Sequence, residues 1–166
     1  SATAIATQLS VFLSYEAFLH RAECVSELHA MRIAAKQLRY TLETFAPLYP
    51  GELQPYLQAV KAGQELLGDV HDCDVWLAFL PQFVKEEMDR TIIYYGHANP
   101  FRPLQPGLDY FLRNRQEVRT QKFQSFGEHW EIWKTLDLWT QLQRTILAPV
   151  YHQVFPLPPE SVVLHG

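Results

Sequence analysis

Cysteine is nearly absent: Cys24 and Cys73 are the only two in 166 residues, and they form no CxxC pair. That count excludes a disulfide-stapled secreted scaffold and a four-cysteine zinc site. It leaves two ordinary reduced thiols. No apolar run approaches the roughly 18 residues that a membrane span needs. The start, Ser1-Ala-Thr-Ala-Ile5, lacks the basic stretch of a signal peptide. It also lacks an initiator methionine, so the chain is read as processed or as part of something longer. Charge is sparse as well, at 19% of residues against a usual quarter. The net charge of -4 argues against a protein coated all over in positive charge. A local basic site is compatible with it. What is present is apolar: 48% hydrophobic and 13% aromatic residues are enough for a real core, which excludes disorder for the bulk of the chain. The length is that of one domain.

The periodicity is helical almost throughout. Residues 2–20 carry Ile5, Leu9, Phe12, Leu13, Phe18 and Leu19 at amphipathic spacing. Leu28, Met31, Ala35, Leu38, Leu42 and Phe45 then step by 3, 4, 3, 4, 3, the stripe of a helix packed in a bundle seam. Ala46-Pro47 and Tyr49-Pro50-Gly51 end it. A third helix over 52–67 is predicted to stop at Gly68, with Asp69 as the N-cap of a fourth over 70–90. The fourth would bury Val70, Cys73, Trp76, Leu77, Leu80, Phe83 and Val84, with a kink or split at Pro81. An irregular stretch over 94–106 leads to a long helix over 107–134, weak at Gly127, and a short one over 136–148. No strand pattern of useful length occurs. The expected fold is all-α: an antiparallel four-helix bundle with an extra N-terminal helix and a short C-terminal helix. It forms one domain over 1–150, followed by an extended proline-rich tail over 151–166.

The polar positions of the second helix carry a second stripe. His29, Arg32, Lys36 and Arg39 step by 3, 4, 3 and fall within about 80° of one another. They sit one residue after the core positions and so flank the buried seam. No Asp or Glu occurs between Leu28 and Leu42. A solvated face usually mixes signs, because acid–base pairs at i,i+4 are favourable. Three stacked cations and a histidine repel one another, and an external anion would relieve that repulsion. The competing reading pairs them with carboxylates of neighbouring helices, for example Asp69, Asp72 or Asp74. From His29 to Arg39 is about 15 Å of helix, far more than one phosphate needs and suited to a linear polyanion. Arg115 and Lys122 interrupt the apolar stripe of the long helix, with Arg119 beside them. Such cations need acids on other helices or a polar cavity. Lys61 is the one charged residue from Leu53 to Gln64.

The run Gly68-Asp-Val-His-Asp-Cys-Asp74 raises a metal alternative. His29, His71, Asp72 and Asp74 echo the ligand order of metal-dependent HD phosphohydrolases, which are also all-helical. The spacing i, i+1, i+3 does not put the three downstream side chains on one face, and the bland reading is an acidic helix start.

Leu28-His-Ala-Met-Arg-Ile-Ala-Ala-Lys-Gln-Leu-Arg-Tyr-Thr-Leu-Glu43 resembles the signature helix of the CHAD family, the conserved histidine α-helical domains. Val60-Lys-Ala-Gly-Gln-Glu-Leu-Leu-Gly-Asp-Val-His-Asp-Cys-Asp-Val75 resembles that family's second signature. The resemblance is sharp over about 25–85. It implies binding of inorganic polyphosphate through a basic channel, association of some members with polyphosphate granules, and no catalysis by the domain itself. Position by position it assigns His29, Arg32, Lys36 and Arg39 to the basic helix, and Lys61 and His71 to the second signature. Arg115, Arg119 and Lys122 are added from periodicity. A full family domain resembles two such bundles in tandem, whereas this chain carries one pair of signatures, closest to the second copy. A half-length version could complete its channel as a homodimer.

The expectation is therefore a cytoplasmic, non-catalytic module that binds polyphosphate without cofactor or metal. Arg32, Lys36, Arg39 and Lys61 would contact phosphate oxygens. His29 and His71 would add hydrogen bonds, and charge below about pH 6.5. Nucleic acid is the poorer fit, since the aromatics sit at core spacing rather than as stacking platforms.

Overall fold

A computed structural model describes residues 1–148; the predicted tail over 151–166 lies outside them. The described chain is helical, with no strand among these residues. Five α-helices carry it: α1 (Ala2–Leu13), α2 (Val25–Phe45), α3 (Gln54–Tyr95), α4 (Gln105–Thr135) and α5 (Leu138–Leu147). Short 3-10 turns lie at Glu16–Phe18, Ala46–Leu48 and Arg102–Leu104.

The core is built from α1, α2, the first half of α3, the last third of α4 and α5. It contains Ile5, Leu9 and Phe12 of α1, and Met31, Leu38 and Leu42 of α2. Val60 and Leu67 of α3 meet Phe126, Trp130 and Trp133 of α4, with Trp139 and Leu142 of α5 closing the side. Four aromatic rings interlock here: Trp130 tilts against Phe12 at 5.3 Å, and Trp139 sits edge-on to Phe12 at 5.7 Å and to Trp133 at 5.5 Å. These arrangements are the favourable ones for ring quadrupoles. Gly63 lets α4 come close, because a Cβ at that position would stand 3.0 Å from the Trp133 ring.

Three expectations are corrected. The first helix stops at Leu13, and residues 16–18 form a separate turn. Gly68-Asp69 is not a break: α3 runs through it as one helix of 42 residues. A glycine stop requires the left-handed conformation, which among the described glycines only Gly51 and Gly96 adopt. Gly96 is the actual C-cap of α3, with φ 75°. Burial continues through Gly68 without a change of phase, from Val60 and Gly63 to Leu67, Val70 and Cys73. The helix also holds Pro81 in its interior. The four main helices of the expected bundle thus become three, one of them about 63 Å long at 1.5 Å per residue. Last, Trp76 and Phe83 point outward rather than into the core.

That length has a consequence for shape. The main core ends at Leu67 on α3 and resumes near Phe126 on α4. Beyond it, the second half of α3 and the first half of α4 continue as a two-helix hairpin. No helix of the described residues is long and apolar enough to cross a membrane.

Candidate functional site

Two contacts fix the register of α2 against α3. The His29 and His71 rings lie 4.3 Å apart, and a Cβ on Gly68 would be 3.5 Å from Arg32 Nε. In both, the residue numbers add to one hundred, as antiparallel helices in fixed register require. The same register sets Lys36 level with Gln64, and Arg39 level with Lys61. One interhelical groove therefore gathers six of the expected residues: His29, Arg32, Lys36 and Arg39 from α2, Lys61 and His71 from α3.

The polar atoms of this groove are short of partners. Arg32 Nε, Arg39 Nε, His29 Nδ1 and Gln64 Oε1 are all buried without a hydrogen bond among the described residues. A buried unpaired donor typically forfeits about 1–3 kcal/mol. Four in one groove concentrate unmet hydrogen-bonding capacity along the α2–α3 contact. No carboxylate lies within ion-pair distance of Arg32, Lys36 or Lys61 among the described residues; Arg39 has Glu43 at 3.7 Å, a charge contact without a hydrogen bond. Tyr40 supports the row from below, with the Arg39 guanidinium 4.7 Å and the Lys36 ammonium 5.7 Å from its ring centre. Gln64 is a groove residue that the sequence reading passed over. Its signal was the series 61, 64, 68, 71 on α3, one residue every turn.

The acids weighed as partners of the α2 cations turn the other way. Asp74 binds Arg119 of α4, and Asp69 binds Lys122 at 2.7 Å. Arg119 is buried, and its second nitrogen donates to the Ala22 carbonyl at 2.7 Å. The Asp69 carboxylate, first through its hydrogen bond and then through its charge, raises the Lys122 ammonium above its usual range. Arg119 and Lys122 therefore leave the set of free cations, and both belong to the α3–α4 contact. Arg115 lies across α3 from α2, near Cys73. Its guanidinium rests 5.3 Å from the Phe111 ring centre and donates to Asn114 Oδ1 at 2.6 Å, while its Nε has no partner. Burial pushes the Cys73 thiol up, and the Arg115 charge opposes that.

His71 departs from its expected behaviour. Burial lowers its pKa first, followed by charge repulsion from the neighbouring His29 and Arg32 side chains; Asp72 and Asp74 act in the opposite sense. It stays neutral to a more acidic pH than an ordinary histidine, rather than charging near 6.5. The metal alternative loses its ligand set. His29 and His71 are together, but Asp74 is held by Arg119 and Asp72 is exposed. No three His, Cys, Asp or Glu side chains converge as a metal site among the described residues.

The match to known families covers the two helices that form the groove. Residues 6–81 match the CHAD domain family. The matched segment contains all six groove residues and ends at Pro81, before Arg115, Arg119 and Lys122. The CHAD family is associated with polyphosphate binding. Comparison with curated proteins and with solved structures gave no match.

Proposed function

We propose that the α2–α3 groove binds inorganic polyphosphate, without catalysis, through His29, Arg32, Lys36, Arg39, Lys61 and His71. The observation that carries this reading is the row of buried nitrogens without partners on Arg32, Arg39 and His29. Arginine can fork onto two oxygens of a phosphate chain, while lysine acts as a point charge. The row is about 15 Å long, so successive phosphates of one linear chain can meet successive side chains. Arg115 stands apart and has no assigned contact. A cytoplasmic setting, at or near polyphosphate granules, belongs to the same proposal.

A salt titration tests it. Binding of long-chain polyphosphate, followed by calorimetry, is expected to weaken as salt rises, because condensed counterions are released. Four cations, at roughly 0.7–0.9 ion released per contact, give a slope of about -3 in log affinity against log salt. A flat dependence contradicts direct charge contact. Phosphate release during the same incubation would contradict a purely binding role.

The lowered pKa of His71 gives a second test. A polyanion beside the ring favours the charged form, so the bound pKa lies above the free one. Binding then takes up a proton. Affinity is expected to rise as pH falls from the bound pKa to the free pKa, which lies below the ordinary 6.5. Folding runs the other way: the unfolded histidine binds its proton first, so this residue's contribution to stability is lost as pH falls below about 6.5. Calorimetry at a series of pH values should show the rise in wild type and a weaker one in His71→Gln. Equal pH profiles would remove His71 from the site.

A further inference from the structure

The hairpin beyond the core carries a row of large apolar side chains that stay substantially exposed, with only Trp76 touching a ring of α4. Along α3, Asp72, Trp76, Phe79, Phe83, Glu86 and Arg90 step by 4, 3, 4, 3, 4. All six lie within about 80° of one another on the helix. The buried side of the same stretch, with Val70, Cys73 and Leu80, is centred about 100° away. Phe79 is 53% exposed, Trp76 43% and Phe83 40%. Phe79 lies near-parallel to Phe83 at 5.6 Å, and Trp76 sits edge-on to Phe79 at 6.0 Å and to Phe111 of α4 at 5.4 Å, which leaves Phe79 and Phe83 as the rings with no aromatic neighbour outside α3 among the described residues. The spacing is that of a coiled-coil seam, and here it faces outward.

We infer that this stripe is the contact face of a symmetric dimer, and that what covers it is α3 of a second copy, laid antiparallel. The order of residues supports a copy of the same chain as partner. With the two-fold axis at the level of Pro81, Phe79 meets Phe83 and Asp72 meets Arg90, and each pairing occurs twice. A slip of one heptad in either direction sets a charge against a ring: Asp72 against Phe83, or Arg90 against Phe79. Of these registers only the first pairs both Phe79 with Phe83 and Asp72 with Arg90, each twice, as a self-complementary isologous contact requires; it also sets Trp76 level with Glu86. Asp72 has no ion-pair partner among the described residues. Arg90 touches only Glu87 of its own helix, an exposed pair that is given up at little loss. The paired stretch spans about 27 Å of helix. Its axis lies about 15 Å along α3 from His71, with the last turn of the second copy's α3 reaching the level of His71, and self-association does not depend on the polyphosphate reading.

The full chain is examined by sedimentation velocity over a micromolar dilution series, with circular dichroism to confirm folding of each variant. A dimer is expected, and Phe79→Glu should raise its dissociation constant by at least about tenfold. Asp72→Arg and Arg90→Asp should each weaken it. The combined swap restores both opposite-charge pairs and should recover most of the affinity. A monomer throughout the wild-type series overturns the inference. So does a dimer indifferent to Phe79→Glu, or a swap no tighter than its single variants.

Discussion

Replacing Arg32, Lys36 and Arg39 together by alanine is expected to weaken polyphosphate binding at least about a hundredfold, with the fold retained. Each charge-assisted hydrogen bond contributes roughly 1.5–3 kcal/mol when shielded and less when exposed. Arg32 and Arg39 are half-buried and Lys36 is exposed, so about 3–6 kcal/mol is a reasonable sum for the three. At 1.4 kcal/mol per factor of ten, that is two to four decades in affinity. Stability should move little. Among the described residues no carboxylate is left unpaired in a buried place by the substitution, since Arg39 meets Glu43 only at 3.7 Å and on the exposed side. Relief of repulsion along α2 offsets the lost packing of the long stems on Tyr40. The measurement is a pull-down on long-chain polyphosphate beside a thermal melt, with Lys122→Ala as control. Lys122 is already occupied by Asp69, so its loss should leave binding within a few-fold. A triple variant that unfolds while its folded fraction still binds would sink the assignment and return the row to a structural role.

How far the sequence anticipates this arrangement depends on which kind of signal each element carries. α2 was fully legible: its apolar stripe and its basic stripe both repeat at the helical period, and neighbouring helices leave both in place. Gly68-Asp69 was not legible, because the same two residues suit a stop followed by an N-cap or the middle of a helix. Burial of Leu67, Val70 and Cys73 in one continuous line decides between them, and that is a tertiary fact. The fourth predicted helix joined two apolar stripes into one. Val70, Cys73 and Leu80 turn inward, while Trp76 and Phe83 belong to an outward row with Phe79. Periodicity shows that both rows exist but not which one meets the core. The cations of α4 illustrate the same limit. Their spacing marked them as facing the bundle, yet a free binding site and an internal ion pair leave the same mark. Only the register of α3 on α4, with Asp69 beside Lys122 and Asp74 beside Arg119, separates the two.

That separation leads to the largest expected effect on stability. Arg119→Leu should destabilise the protein by about 3–5 kcal/mol, the range found when one partner of a buried ion pair is removed. Arg119 is 7% exposed, and Asp74 is mostly buried beside it, so solvent does little to screen the charge that is left behind. The substitution also strands the Ala22 carbonyl, which Arg119 ties to α4 across the connection between α1 and α2. Two quite distant parts of the chain therefore loosen together. The double variant Arg119→Leu/Asp74→Leu removes the uncompensated carboxylate, and should recover a substantial part of the loss, because an apolar pair of similar size is often no worse than a buried ion pair. Denaturant unfolding of the two variants and wild type measures this directly. Polyphosphate affinity per folded molecule should stay within a few-fold in both, since Arg119 lies in the α3–α4 contact and Asp74, although it lines a pocket with His29 and His71, makes no ion pair with a groove cation. If Arg119→Leu instead leaves stability intact and abolishes binding, Arg119 belongs to the binding surface, and the division between groove cations and structural cations is wrong.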